Sequence, residues 1–170
     1  MTDSLEKIAA AEARLRATPM TRALRVIGRT RLFARVYRVL GPMIDPWLMR
    51  RTNLIGRLYG LPALLLTTVG AKSGARRTSP LLYVREGAAF AVVGTNFGQS
   101  HHPAWTANLL ANPNAEIEVW SQHVNVHAEP APPQDWDRLF DRFVEMYPGY
   151  RDYLGRCGGR KPRLFLLRPA

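Results

Sequence analysis

Two hydrophobic periods divide this chain, and the change between them falls near residue 60. Residues 4–17 read as a short helix, with Ser4 as its N-cap ahead of an Ala-rich run, and Thr18-Pro19 ends it. From Thr21 to Leu40, Leu24, Ile27, Leu32, Val36, Val39 and Leu40 alternate with six arginines, the pattern of a basic amphipathic helix stopped by Gly41-Pro42. Residues 42–60 are irregular. Beyond them the period shortens to two. Ala63–Val69, Pro80–Arg85 and Ala88–Thr95 read as strands, the last two joined by a turn at Glu86-Gly87. Residues 102–111 predict a short helix opening at Pro103, and Glu116–Trp120 and the run Val124, Val126, Ala128 predict two more strands. Trp136, Leu139, Phe140, Phe143, Val144 and Tyr147 are spaced as one buried helical stripe, and Leu164–Leu167 closes the chain as a strand.

Six strands with short connections and a few helices predict an α+β protein built on a small antiparallel barrel. The strand–helix–strand alternation of a doubly wound sheet is missing, as are a G-x-G-x-x-G fingerprint and a Walker loop. At 170 residues the chain divides into a basic helical extension and linker (1–57) and a barrel domain (58–170). The net charge of +11 is uneven: residues 1–57 carry 12 Lys/Arg against 4 Asp/Glu, so most of the basicity lies outside the barrel.

The single cysteine, Cys157, has no partner within the chain, which fits a reducing compartment. No run approaches the roughly 20 apolar residues that span a bilayer, and Glu6 and Glu12 interrupt anything resembling a signal peptide. The expected location is the cytoplasm, with peripheral contact on the inner membrane face if the 21–40 helix lays its arginines on anionic headgroups. The same helix could instead pack on the barrel. Nucleic-acid binding is not expected, because the arginines lack interleaved aromatics for base stacking.

Candidate chemistry sits in three places. Gly70-Ala71-Lys72-Ser73-Gly74-Ala75-Arg76-Arg77 lies between two strands; its glycines let the backbone approach an anion, and Lys72, Arg76, Arg77, Ser73 and Thr78 supply charge and donors. A hairpin loop kept soluble by charge would look the same. A second polar loop runs from Thr95 to Ser100, followed by His101-His102-Pro103 at a helix start. No third ligand is spaced to complete a metal site there, so no metal is expected. Finally, Tyr147, Tyr150 and Tyr153 bring three aromatic hydroxyls close together, as a pocket wall or as a cap on the barrel mouth.

In order, these pieces resemble the deazaflavin-dependent nitroreductase family of actinobacterial oxidoreductases. The resemblance runs through Thr67-Thr68 to Pro80-Leu81, Val92-Val93-Gly94-Thr95 to Gly98, His102-Pro103-Ala104-Trp105 to Asn112-Pro113, and Met146-Tyr147-Pro148-Gly149-Tyr150-Arg151-Asp152-Tyr153, covering about residues 60–168. It implies a split β-barrel and coenzyme F420, an 8-hydroxy-5-deazaflavin with a phospholactyl-oligoglutamate tail. It further implies that Ala71, Lys72, Ser73, Arg77, Thr78, Ser79, Pro80, Leu81 and Leu82 hold the tail and the ring edge. Val93, Gly94, Thr95 and Asn96 would line one side, and Ala104, Trp105 and Asn108 another.

By the same resemblance Tyr150 is the expected proton donor, with Tyr147, Tyr153 and Thr95 contacting the acceptor, a menaquinone-like quinone or a nitroaromatic. Leu82 stands where the family's nitroreductase has a tyrosine, and Asn96-Phe97 where it has lysine and glycine, so the pocket wall and one charge near the tail differ. The expected function is F420H2-dependent reduction. The alternatives are a non-catalytic carrier of F420 or lipid, or an FMN-binding split barrel.

Overall fold

The computed structural model describes residues 2–16 and 61–170; the basic helix expected over residues 21–40 and most of the linker lie outside the described residues. Six strands form a closed, wholly antiparallel barrel: β1 (Ala63–Val69), β2 (Arg76–Glu86), β3 (Ala89–Gly94), β4 (Asn114–Val119), β5 (Gln122–Pro130) and β6 (Arg163–Pro169), in the order β1-β2-β3-β6-β5-β4 around the wall. Closure removes the unpaired edges that an open sheet would expose. Among the described residues the α-helices are α1 (Thr2–Arg16), α2 (Ala104–Ala111), α3 (Trp136–Met146) and α4 (Gly149–Arg156).

Alternation along the strands builds two cores. Leu64, Leu66, Tyr83, Phe90, Val92, Ile117, Val126, Phe165 and Leu167 fill the barrel. The opposite faces of β2, β3 and β6 present Val84, Ala89, Ala91, Val93, Leu164 and Leu166 outward, where α3 and α4 cover them with Trp136, Leu139, Phe140, Phe143 and Tyr150. Every residue of β3 is therefore buried. Each large side chain shielded this way contributes on the order of 1.5–3 kcal/mol.

The register sets the two ends of the barrel. Val69 pairs with Arg76 and Gly94 with Arg163, so the β1–β2 loop and the exit of β3 share one end. The β2–β3 turn and the Trp120-Ser121 turn share the other; both residues of the latter have positive φ (50° and 61°), the backbone that a two-residue hairpin demands. There α1 inserts Ile8, fully buried, into the barrel core. The helix begins at Thr2, so Ser4 lies inside it, and Asp3 supplies the acidic group that favours a helix start.

β2 is longer than its apolar run suggested. It begins at Arg76, four residues before Pro80, because β1 pairs with it from Val69 onward. Pro80 is tolerated inside it because β3 pairs with β2 only from Tyr83.

Candidate functional site

The β1–β2 loop is held from below. Its turn is closed by Gly70 N–H to Ala75 O (2.8 Å) and Gly74 N–H to Gly70 O (2.8 Å), with Gly74 at φ 66°. Asn108 of α2 then reaches up from the interior. Its side-chain oxygen accepts the Ala71 N–H (3.0 Å), and its amide nitrogen donates to Thr68 Oγ1 (3.0 Å). Both ends of a buried amide are thus engaged within the protein, and the loop backbone is fixed before any ligand arrives.

Above that platform Lys72, Ser73 and Arg77 are exposed, and Thr78 and Ser79 are half-buried. Arg76 is committed elsewhere: it donates to Glu116 Oε2 at 2.7 Å, beside a shallow groove lined by Thr67, Asn114 and Asn125. Among the described residues Lys72 and Arg77 make no ion pair. Two uncompensated cations, a serine hydroxyl and a glycine-shaped backbone form a donor set that fits a ligand bearing a phosphate and carboxylates.

The second wall begins where β3 ends. A Cβ on Gly94 would meet Thr106 Cγ2 at 2.7 Å, so strand and α2 are in direct contact there. The chain then turns through a short 3-10 segment, Asn96–Gly98, with positive φ at Asn96 (51°), Phe97 (54°) and Gly98 (80°). Phe97 is 54% exposed and meets the Tyr153 ring edge-on at 6.0 Å. Tyr147, Tyr150 and Tyr153 form one array, with centroids 5.9–6.4 Å apart, and Leu82 packs on the outer core to which Tyr150 belongs.

Sequence-predicted residues thus fall into two sets. Lys72, Ser73 and Arg77 are exposed at or next to the β1–β2 loop, and Tyr147 and Tyr153 are half-exposed, with Tyr153 beside Phe97. By contrast, Trp105 and Asn108 turn inward; Trp105 is buried against Phe165 with ring centroids 5.9 Å apart. Val93 sits beneath α3 and α4, and Thr95 is buried. Tyr150 is also largely buried, between Phe140 and Phe143, and burial pushes its phenol well above the ordinary tyrosine value, reinforced by Tyr153 and Tyr147.

Sequence reasoning missed Arg160, which the structure places at the centre of this wall. Its guanidinium donates to the carbonyls of Gly94 (3.1 Å), Thr95 (2.9 Å) and Gln99 (2.9 Å), and to His102 Nδ1 (3.0 Å). His102 is therefore an acceptor at Nδ1; partial burial, then Arg163 and Arg160, hold its pKa below the usual histidine value. Among the described residues no cluster of three metal-ligating side chains occurs.

A small closed barrel with a cationic loop and, at the same end, an aromatic array past the exit of β3 defines a class of cofactor-binding split barrels. A sequence model of the F420H(2)-dependent quinone reductase family matches residues 44–162, and the chain belongs to that family. An F420H(2)-dependent quinone reductase of Mycobacterium tuberculosis is 36% identical over 101 residues, covering 56% of this chain and 68% of that protein. A second M. tuberculosis protein, a putative F420H(2)-dependent quinone reductase, is 34% identical over 109 residues, covering 64% and 91%. The solved structure of an F420-H2 dependent reductase superposes with a TM-score of 0.57 at 30% identity, covering 63% of this chain and 94% of that one. The haem storage protein HutZ of Vibrio cholerae, at 18% identity and a TM-score of 0.51, shares the fold alone. The protein is thus an F420-dependent oxidoreductase with a split β-barrel fold.

Proposed function

We propose that this protein reduces a quinone with F420H2, holding the cofactor's acidic tail at the β1–β2 loop and the acceptor beside the tyrosine array. The observation that carries the cofactor half is the pair of cations, Lys72 on the loop braced by Asn108 and Arg77 at the start of β2, which lack ion-pair partners among the described residues. When bound, reduced F420 supplies a hydride to an electron-poor carbon or oxygen. The chain's own residues do the rest. Lys72, Ser73, Arg77, Thr78 and Ser79 bind the tail, Ala71 offers its position in the turn, and Pro80, Leu81 and Leu82 border the ring. Gly94, Thr95, Asn96 and Ala104 shape the opposite rim, Val93 and Trp105 lie buried behind it, and Asn108 braces the β1–β2 loop from within.

Tyr147 and Tyr153 orient the acceptor, and Tyr150 donates the proton that balances hydride addition. The phenol is protonated at neutral pH, as a donor requires, and its burial, which makes it a weaker acid in the free protein, means that it gives up the proton only to the charge that hydride addition creates. Aromatic edges and the apolar Leu82 suit a flat, lipophilic quinone; a nitroaromatic is the second acceptor class on the same physical grounds. The direct check on the cofactor is a parallel titration with F420 and FMN. Tight binding of F420 and none of FMN is expected, and the reverse would place the chain with the flavin-binding barrels.

The 21–40 segment supports a peripheral membrane contact, which would bring the site near a lipophilic quinone. None of the helices among the described residues is long and apolar enough to cross a bilayer. Pelleting with anionic vesicles should fall when Arg25 and Arg29 are replaced by glutamate. Equal pelleting would end that part of the proposal.

A further inference from the structure

The turn after β3 is an unusual piece of backbone. Three consecutive residues, Asn96, Phe97 and Gly98, have positive φ, and two of them are not glycine. A non-glycine residue in that region is strained and persists only where its surroundings dictate it. Here the surroundings are specific. Gly98 is pressed onto α4 so closely that a Cβ would lie 2.9 Å from Arg156 Cβ and 3.0 Å from Tyr153 O. Asn96 Nδ2 donates to His101 O (3.2 Å), and Gly98 N–H to Thr95 O (3.1 Å).

Arg160 holds the whole arrangement. Its Nη1 donates to Gly94 O and His102 Nδ1, its Nη2 to Thr95 O, Gln99 O and Cys157 Sγ (3.3 Å), and its Nε to Gln99 O (3.3 Å). Among the described residues no carboxylate pairs with it, so its rigid fork is spent on the carbonyls that flank one turn. The Cys157 thiol completes the joint, donating to Tyr153 O at 3.1 Å. The consequence is geometric: Phe97 is projected outward yet lies edge-on to Tyr153, on the rim of the tyrosine array.

We infer that Arg160 is a positioning residue for the acceptor: it locks the Thr95–Gln99 turn onto α4, so that Phe97 and Tyr153 together form the ring-binding rim, and it acts on acceptor binding rather than on the cofactor tail. This rests on the proposed quinone reductase reading. The tail site is built from a different loop, buttressed by Asn108 and not by Arg160.

The test uses the full chain loaded with oxidised F420, which binds without turning over, and menadione as a quinone probe. Arg160→Gln should raise the menadione dissociation constant about tenfold, the loss expected for removing a partly buried charged hydrogen-bonding group, while F420 affinity, anchored chiefly by Lys72 and Arg77, falls by no more than about threefold even though Gly94–Asn96 border its ring. Phe97→Ala should raise it comparably, and the double variant should be no worse than the weaker-binding single one, because both remove the same rim. Arg160→Lys keeps the charge but not the fork, and should fail to restore binding; this milder variant carries the test if Arg160→Gln does not fold.

Faster amide exchange at Gly98 and Gln99, with the barrel strands unchanged, should accompany the loss. Additive effects, full rescue by lysine, an equal loss of F420 affinity, or wild-type protein that does not bind menadione would each overturn the inference. Wild-type protein that binds menadione but does not oxidise F420H2 would instead refute the proposed activity and leave the positioning role standing.

Discussion

The hydroxyl of Tyr83, on the inner wall of the barrel, donates to Glu12 Oε1 of the first helix at 2.6 Å. Arg85 stands 3.9 Å from the other carboxylate oxygen, so a partly buried carboxylate is answered from two sides. Burial, and then the Glu12 carboxylate, drive the Tyr83 phenol far above its ordinary pKa, so it stays a donor at every physiological pH. With Ile8 seated in the same core, α1 is part of the barrel's closure at the end away from the cationic loop.

Removing that closure should cost stability and spare the chemistry. Tyr83→Phe leaves the Glu12 carboxylate short of a donor and should lower unfolding stability by about 1.5–3 kcal/mol; Ile8→Ala should cost about 2–5 kcal/mol. Urea melts read both. F420 affinity should be unchanged in either variant, since the tail loop is at the opposite end.

Asn108 makes the contrary prediction. Asn108→Ala strips partners from the Ala71 N–H and the Thr68 hydroxyl, each a loss of about 1–3 kcal/mol if left unsatisfied. Because the loop then loses its brace, F420 affinity should fall as well, although Asn108 is buried and both its amide groups are already engaged. Titration of F420 against the variant, with its melting temperature recorded alongside, checks whether the two losses travel together.

Charge on the tail loop should read out through salt. Lys72→Gln or Arg77→Gln should each weaken F420 binding by about tenfold at low ionic strength, with the difference shrinking as salt screens the pairs. Arg76→Gln should do little to binding, because that side chain is bonded to Glu116. The discriminating result is the contrast between adjacent arginines.

How much of this was legible in the sequence varies with the kind of signal. β1 appears with the boundaries expected, Ala63–Val69, because its residues alternate between the barrel interior and its outside, and the stripe from Trp136 to Val144 lies in α3. α4 was not expected. Its eight residues follow Pro148, open with Gly149 and mix tyrosines with charges, so it reads as a turn until α3 and the Thr95–Gln99 loop give it something to pack on. Residue identity found the cationic loop and the three tyrosines, but not the inward orientation of Trp105 and Asn108, which only the packing of α2 decides. Arg160 left no trace, since its partners are mostly backbone carbonyls and its neighbours Gly158, Gly159 and Lys161 suggest an ordinary basic turn.

The clamp between α3 and β2 predicts a pH dependence of stability. Arg138 donates to both oxygens of Glu86 (2.7 and 3.2 Å) and Arg142 adds a third bond at 2.6 Å. The hydrogen bond from Arg138 leads in holding the Glu86 carboxyl below its usual value. A carboxylate with a depressed folded-state pKa contributes stability that is present above its unfolded pKa of about 4.3 and disappears as pH falls through the folded value. Glu86→Gln should therefore lower the melting temperature at neutral pH and converge with the wild type in acid. A constant difference across that range would show that the carboxylate's charge is irrelevant.

Tyr150→Phe separates donor from scaffold. Its ring packs within an aromatic cluster and phenylalanine preserves that packing, so stability and F420 affinity should change little while turnover drops by about 10²-fold or more. The wild-type rate should show no alkaline break from this phenol between about pH 6 and pH 9, given its upward-shifted pKa. An unaltered rate in the variant would remove Tyr150 from the reaction.

The central claim is that this barrel passes reducing equivalents from F420 to a quinone. Anaerobic mixing of the full-length protein with F420H2 and menadione, followed by the optical return of oxidised F420, tests it most directly. The account predicts saturable, enzyme-dependent reoxidation that requires Lys72 and Arg77. Reoxidation no faster than in buffer, from protein shown to bind F420, would contradict it.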